Sequence, residues 1–241
     1  MAVGGRSWLA AIVVSAALAA AFVALGRWQW QRAAEARELN ATFAGAASLA
    51  PLDRPPDDAD IAGLRYRTVE LFGRYEPQRQ LLLDNRVRDG RVGYEVLTPF
   101  RRSDREPWLL VNRGWIAADP DRKRLPAVGV GAHERPLKGR IDTLPRVGLD
   151  LPVPQDDGAA SGLRVVSYPS AAEIAAALGH ATFGYQILLD PGEPDGFARD
   201  WRAPGPAPER HLAYAGQWLL LAATAIVIGG VTAVRLRRHR R

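Results

Sequence analysis

The sequence predicts a membrane protein in which two transmembrane helices flank a mostly antiparallel β (α+β) periplasmic domain. Three observations predict it. Near each end of the 241-residue chain lies a long apolar run, Trp8–Leu25 and Leu212–Val234, without a charged residue. Between them, short stretches rich in β-branched and aromatic residues recur, most with turn residues near their ends. The formal charge of +6 also belongs to the ends. No Asp or Glu occurs in 1–26 or 211–241, where Arg6, Arg235, Arg237, Arg238, Arg240 and Arg241 lie, so 27–210 carries 26 basic and 26 acidic residues. A neutral middle has no electrostatic funnel for a phosphate backbone, which speaks against nucleic-acid binding despite a pI near 10.1.

The first run, at 1.5 Å per residue, reaches about 27 Å, close to the thickness of a hydrocarbon core. Its rival is a cleavable signal peptide, with Arg6 as the basic region and Ala17-Leu18-Ala19 as the cleavage site. The apolar run continues to Leu25, beyond the usual length of such a segment, so residues 8–26 are read as a retained transmembrane helix. The second is assigned to 211–234 and is followed by a basic tail, 235–241, with five arginines in seven residues. Arginines near the membrane ends tie at six on each side. The tie is broken by the 184-residue middle segment, since long domains cross largely regardless of charge. Both termini are therefore expected in the cytoplasm and 27–210 in the periplasm of a bacterial cell with this protein in its inner membrane. No Ser- and Arg-rich presequence precedes the first span, in keeping with that reading.

Within the middle segment, Arg32–Ala44 reads as a helical extension of the first span, and a loop rich in Pro and Asp, Pro51–Asp60, follows. Seven runs read as strands: Tyr66–Tyr75, Arg79–Arg86, Val92–Phe100, Trp108–Ala117, Leu137–Ile141, Leu163–Ser167 and Thr182–Asp190. One helix is clearly signalled. Ser170-Ala-Ala-Glu173 is a capping box, Ile174–Leu178 the body, and Gly179 the stop. Pro145–Gly162 is too rich in Pro, Asp and Gly for a regular element, and Ala203–Pro208 reads as a stiff tether into the second span.

Several chemistries are excluded. The chain has no cysteine, which removes thiolate metal sites, redox pairs, cysteine nucleophiles and disulfides. No GxSxG, HExxH, Walker loop or GxGxxG after a strand is present, and Asp and Glu form no usable pair. His133 and His180 read as a loop and a helix-end residue. The protein is therefore not expected to be an enzyme.

Two membrane-proximal motifs remain. Leu25-Gly26-Arg27-Trp28-Gln29-Trp30-Gln31-Arg32 closes the first span, with two tryptophans interleaved with amides. His211-Leu-Ala-Tyr214-Ala-Gly-Gln217-Trp218 opens the second, and helical spacing puts His211, Tyr214 and Trp218 on one face. Counting about 20 residues back from Val234 ends the hydrocarbon core near Tyr214. His211 then lies about one turn above it, near the level expected for Arg27 and Trp28. A histidine beside aromatic surface with arginines nearby suits an axial ligand for a haem along the boundary. An aromatic girdle with snorkelling arginines is the alternative, and these residues alone leave both open. In the domain, Val111-Asn112-Arg113-Gly114-Trp115-Ile116 interrupts a strand pattern with a polar pair. Its simplest reading is a bulge holding a buried, paired arginine.

In chain order these motifs resemble one family, the Surfeit-locus cytochrome c oxidase assembly proteins. The resemblance rests on Leu25-Gly26-x-Trp28-Gln29-x-x-Arg32, Tyr66-Arg67-x-Val69 with Gly73-x-Tyr75, and Asn85-Arg86. It continues through Gly93-Tyr94 with Thr98-Pro99, Val111-Asn112-Arg113-Gly114-Trp115, and His211-x-x-Tyr214-Ala215-x-Gln217-Trp218. It implies a non-enzymatic assembly factor that binds haem a transiently and helps place it in the oxidase catalytic subunit. The implied partners are that subunit and the haem a synthesis machinery. His211 matches the family's candidate iron ligand, while Tyr214 and Trp218 would pack on the macrocycle. Arg27 or Arg32, with Trp28 beside them, would face the propionates. The alternative is a membrane-anchored scaffold that binds oxidase subunits without holding haem.

Overall fold

The structure, a computed structural model, describes residues 7–122, 124–145, 163–167 and 169–238. The irregular stretch expected over Pro145–Gly162 lies outside the described residues from 146 onward, as do Arg6 and the last three residues of the basic tail. In chain order the elements are α1 (Ser7–Ala47), a 3-10 turn (Asp58–Asp60), α2 (Ile61–Leu64), β1 (Thr68–Tyr75), β2 (Gln80–Arg88), β3 (Arg91–Arg101) and β4 (Trp108–Ala117). They are followed by β5 (Arg135–Thr143), β6 (Leu163–Val166), α3 (Ala171–Leu178), β7 (Thr182–Leu189) and α4 (Pro208–Arg238). The chain divides into two compact units: the two ends, up to Thr42 and from Ala203, and a β unit, Phe43–Arg202.

In the helical unit, α1 runs without a break through the Trp-Gln motif, because no proline occurs before Pro51 and alanine is frequent. It stops where the backbone N–H and the hydroxyl of Ser48 both donate to the Gly45 carbonyl, at 3.1 and 2.7 Å. The second helix begins on Pro208, whose missing N–H costs nothing in a first turn. Glu209 in that turn and Arg235, Arg237 and Arg238 in the last one complement the helix dipole.

The two helices run antiparallel. The Arg237 guanidinium lies 5.6 Å from the Trp8 ring centroid at one end, and Phe22 stacks on Trp218 farther along. Buried positions recur every seven residues, as Ala19, Gly26 and Ala33 on α1 and Ala215, Ala222 and Gly229 on α4. Such small residues let two backbones approach closely, which is how helices pair where no hydrophobic effect drives them together. The remaining faces are apolar and bare, with Val13 65% and Leu220 70% exposed. Both helices are long and apolar enough to cross a membrane.

The β unit contains all seven expected strands in one sheet of order β1-β5-β7-β4-β3-β2-β6. An additional pairing of β1 with β3 closes five of them into a barrel, leaving β2 and β6 as an extension from β3. Most pairings are antiparallel, as expected; β2–β6 and β4–β7 are parallel. Closure depends on Gly73 in β1. A Cβ there would overlap the Arg101 carbonyl oxygen and stand 2.8 Å from the Phe100 ring, so no side chain fits where β1 meets β3.

Alternation along the strands divides the core. Val69, Leu71, Tyr75, Leu109, Val111, Leu137, Ile141, Tyr185 and Ile187 belong to one buried cluster. On β4, Leu110 faces the other way, into a second cluster with Leu81, Leu83, Leu97, Ile174 and Leu178, so α3 covers the outside of the sheet. Its capping box forms as expected: Glu173 N–H donates to Ser170 Oγ at 3.2 Å and Ser170 N–H to Glu173 Oε2 at 2.7 Å. Gly179 closes it in a left-handed conformation. The Pro51–Asp60 loop is tied down rather than free. Leu52 bridges to Val69, Tyr185 donates its hydroxyl proton to the Pro56 carbonyl at 3.0 Å, and Gly184 N–H donates to Asp58 Oδ1 at 2.9 Å.

Candidate functional site

Within the helical unit, the face of α1 that meets α4 passes from Gly26 to Gln29, one turn farther on. The Cβ position of Gly26 is 3.5 Å from the Leu219 side chain and 3.6 Å from the Ala215 carbonyl oxygen, so the helices nearly touch here. Just beyond, His211 Nδ1 lies 2.8 Å from Gln29 Oε1. An amide oxygen only accepts, so this hydrogen bond requires the proton on Nδ1, and in the neutral form of the ring the lone pair then lies on Nε2. Nε2 has no hydrogen-bond partner among the described residues.

The other expected site residues distribute around this point. Trp218 is partly buried and stacks on Phe22 with ring centroids 5.7 Å apart and planes inclined by 25°. Tyr214 is 45% exposed, on the flank of the seam. Arg27 and Trp28 follow Gly26 at about 100° and 200° around the helix, so they point away from the seam; both are exposed, Trp28 by 52%. Arg32 pairs with Glu35 one turn on, at 2.7 Å with both side chains in the open. An exposed pair of this kind is worth about 0–1 kcal/mol and leaves the guanidinium free to exchange partners. The helices thus bring His211 against Gln29, unforeseen as its partner, and place Trp218 two turns along the same seam against Phe22; they do not bring Arg27, Trp28 or Arg32 onto the seam.

This donor set fits a haem iron. It offers one imidazole with Nδ1 bonded to Gln29 and Nε2 uncommitted among the described residues, and aromatic side chains on the same helix. Among the described residues no group of three or more His, Asp or Glu would hold a bare ion.

The β unit's polar motif has a different character. Arg113 is 1% exposed and has no carboxylate partner among the described residues. Its Nη1 donates to Gln80 Oε1 at 3.0 Å, Thr98 Oγ1 at 3.4 Å and the Val128 carbonyl at 2.8 Å; Nε donates to the Asp195 carbonyl at 2.7 Å and Nη2 to that of Gly129 at 3.3 Å. The Phe197 and Tyr75 rings lie 5.0 and 5.8 Å away. Burial holds the guanidinium below its ordinary pKa and pushes the Tyr75 hydroxyl up to about 12. The adjacent Asn112 amide donates to Glu95 at 2.9 Å and Gln186 at 3.1 Å, while its Oδ1 accepts from Gly114 N–H at 3.1 Å. Gly114, with φ of +104°, turns the strand where the β3–β4 register shifts.

A second bulge shifts the β2–β3 register at Asp84-Asn85, where Asn85 has a φ of +58°. The Trp115 indole donates to the Arg86 carbonyl at 2.8 Å, tying the two bulges together. The motif residues of three strands therefore build one bulged, hydrogen-bonded corner. This is the bulge with a buried arginine that the sequence suggested, except that carbonyl and amide oxygens take the place of an opposite charge.

A closed barrel with bulged strands, joined to two apolar helices that can cross a membrane, defines a membrane-anchored α+β protein. The SURF1 family model matches residues 16–223, and the chain belongs to that family. An uncharacterized SURF1-like protein of Mycobacterium tuberculosis is 29% identical over 97% of this chain and 86% of its own length. A SURF1-like protein of Drosophila melanogaster is 32% identical over 39% of this chain and 36% of its own length. Surfeit locus protein 1 of Takifugu rubripes is 28% identical over 49% of this chain and 51% of its own. The chain thus matches between about a third and a half of the length of these two animal relatives.

Proposed function

We propose that this protein is an assembly factor for cytochrome c oxidase that binds haem a at the end of its helix pair and assists its insertion into the catalytic subunit. The family supports the assembly role. The observation that carries the haem reading is His211, held through Nδ1 with Nε2 open, on a helix long and apolar enough to cross a membrane. In this reading His211 Nε2 would hold the haem iron, while Trp218 and Tyr214 would offer apolar surface to the macrocycle. Arg32 and Arg27 would reach for propionates from neighbouring faces, with Arg32 exchanging its exposed bond to Glu35. Bound haem a would bring its own redox and ligand chemistry; the protein's part is to hold, orient and shield it. The basic tails and the 184-residue middle segment support a periplasmic β unit with both termini cytoplasmic, and a haem passed between membrane proteins would stay near the bilayer. The partners are the oxidase catalytic subunit and the haem a synthesis machinery.

The test is reconstitution of the purified full chain with haem a and titration of the Soret absorbance. His211→Ala is expected to abolish or strongly weaken binding while the protein still inserts and accumulates; His133→Ala and His180→Ala are expected to bind as the parent does. Equal binding by His211→Ala would remove His211 as ligand and favour a scaffold that holds oxidase subunits without haem.

A further inference from the structure

We infer that Gln29 is the positioning residue for His211. Its Oε1 selects the Nδ1-protonated tautomer, aims Nε2 away from the helix seam, and tunes that nitrogen as an iron donor. The inference rests on the haem reading above and adds a residue to it.

Three observations carry it. The hydrogen bond joins side chains 182 positions apart in sequence, at 2.8 Å, so it is a product of helix pairing and not of local chain geometry. Gln29 is half-buried, while its neighbours Arg27, Trp28 and Trp30 are exposed; the amide alone among them is turned inward. The backbone contact that brings the two helices together lies one turn away, where Gly26 leaves only the width of a side-chain contact to Leu219 and Ala215. Half-buried beside the seam, the pair is partly shielded from competing water. That shielding favours one orientation of the imidazole before any ligand arrives.

The chemical consequence follows from the acceptor. A hydrogen bond accepted from the non-ligating N–H fixes the tautomer and raises the basicity of the opposite nitrogen, and losing such a bond typically costs 10- to 100-fold in metal affinity. A neutral amide gives an intermediate donor: stronger than a free imidazole, weaker than one backed by a carboxylate. That strength suits a protein that must release its haem as well as bind it.

The experiment uses the full chain in detergent, reconstituted with haem a. It compares wild type, His211→Ala, Gln29→Leu, Gln29→Asn and Gln29→Glu for accumulation, haem affinity, and the iron–histidine stretching frequency of the ferrous form by resonance Raman spectroscopy. Gln29→Leu is expected to accumulate normally, to bind haem a about 10- to 100-fold more weakly, and to lower the stretching frequency. Gln29→Glu keeps an acceptor oxygen and is expected to restore affinity and raise the frequency above wild type. Gln29→Asn, one methylene shorter, is expected to resemble Gln29→Leu.

Unchanged affinity and frequency in the Gln29 variants, with binding still lost in His211→Ala, would overturn the inference and leave the haem reading standing. Loss of accumulation in Gln29→Leu with unchanged frequency in Gln29→Glu would reduce Gln29 to a packing residue and also overturn it. Retained haem binding in His211→Ala would overturn both readings together.

Discussion

Arg113 has the role of a buried clamp. One guanidinium satisfies Gln80 and Thr98 on neighbouring strands and the carbonyls of Val128, Gly129 and Asp195 in two loops. Its planar fork of five N–H groups can address acceptors in several directions, which a lysine ammonium cannot match. Arg113→Ala would leave the buried Gln80, Thr98 and Val128 oxygens without this donor. The expected loss is about 3–5 kcal/mol, of the order found when one member of a buried charged network is removed. Denaturant unfolding of the purified chain measures it, and Arg113→Lys should recover only part. A variant as stable as wild type, but inactive in oxidase assembly, would show that Arg113 serves a partner instead of the fold. In the sequence, Asn112-Arg113-Gly114 already announced a bulge with a buried cation. The carbonyls that receive it lie 15, 16 and 82 positions away and were not legible, since no local pattern encodes a loop's return to a strand.

At the scale of elements, the helix pair makes a sharp prediction because the chain has no native cysteine. A Cβ added at Gly229 would press on the Ser15 side chain. Ser15→Cys with Gly229→Cys should therefore form a disulfide on mild oxidation, detected after cleavage at a protease site inserted near Gly205. Val13, 65% exposed and about 200° around α1 from Ser15, is the control, and Val13→Cys with Gly229→Cys should not cross-link. Equal cross-linking of both pairs would mean that the helices lack a fixed seam. Strands were the more legible elements: all seven were expected, with ends within about two residues, because β-branched runs between turns are a local signal. The start of β1 shows the limit. The sequence placed Tyr66 in the strand, but its φ of +68° keeps it outside, and the strand begins at Thr68. There the Tyr66 N–H donates to the Ile141 carbonyl at 2.8 Å, a tertiary bond that outweighs strand propensity.

For the whole molecule, the charge distribution predicts topology. Reporter fusions at Asp150 and at Arg241 should report periplasm and cytoplasm respectively, and periplasmic activity at Arg241 would overturn the orientation. The sequence by itself determined two apolar helices, a neutral β-rich middle segment, the capped helix from Ala171 to Leu178, and the family. Each of these is written in runs of neighbouring residues, where hydropathy, periodicity and turn chemistry act over a few positions. Only the tertiary structure decided that five strands close into a barrel, that α4 lies antiparallel on α1, and that Gln29 meets His211. Those outcomes depend on Gly73 having no side chain where β1 reaches β3, and on small residues every seven positions that let two helices approach until their polar groups meet. Their physical cause is close packing between distant segments, and it exists only once the chain has folded.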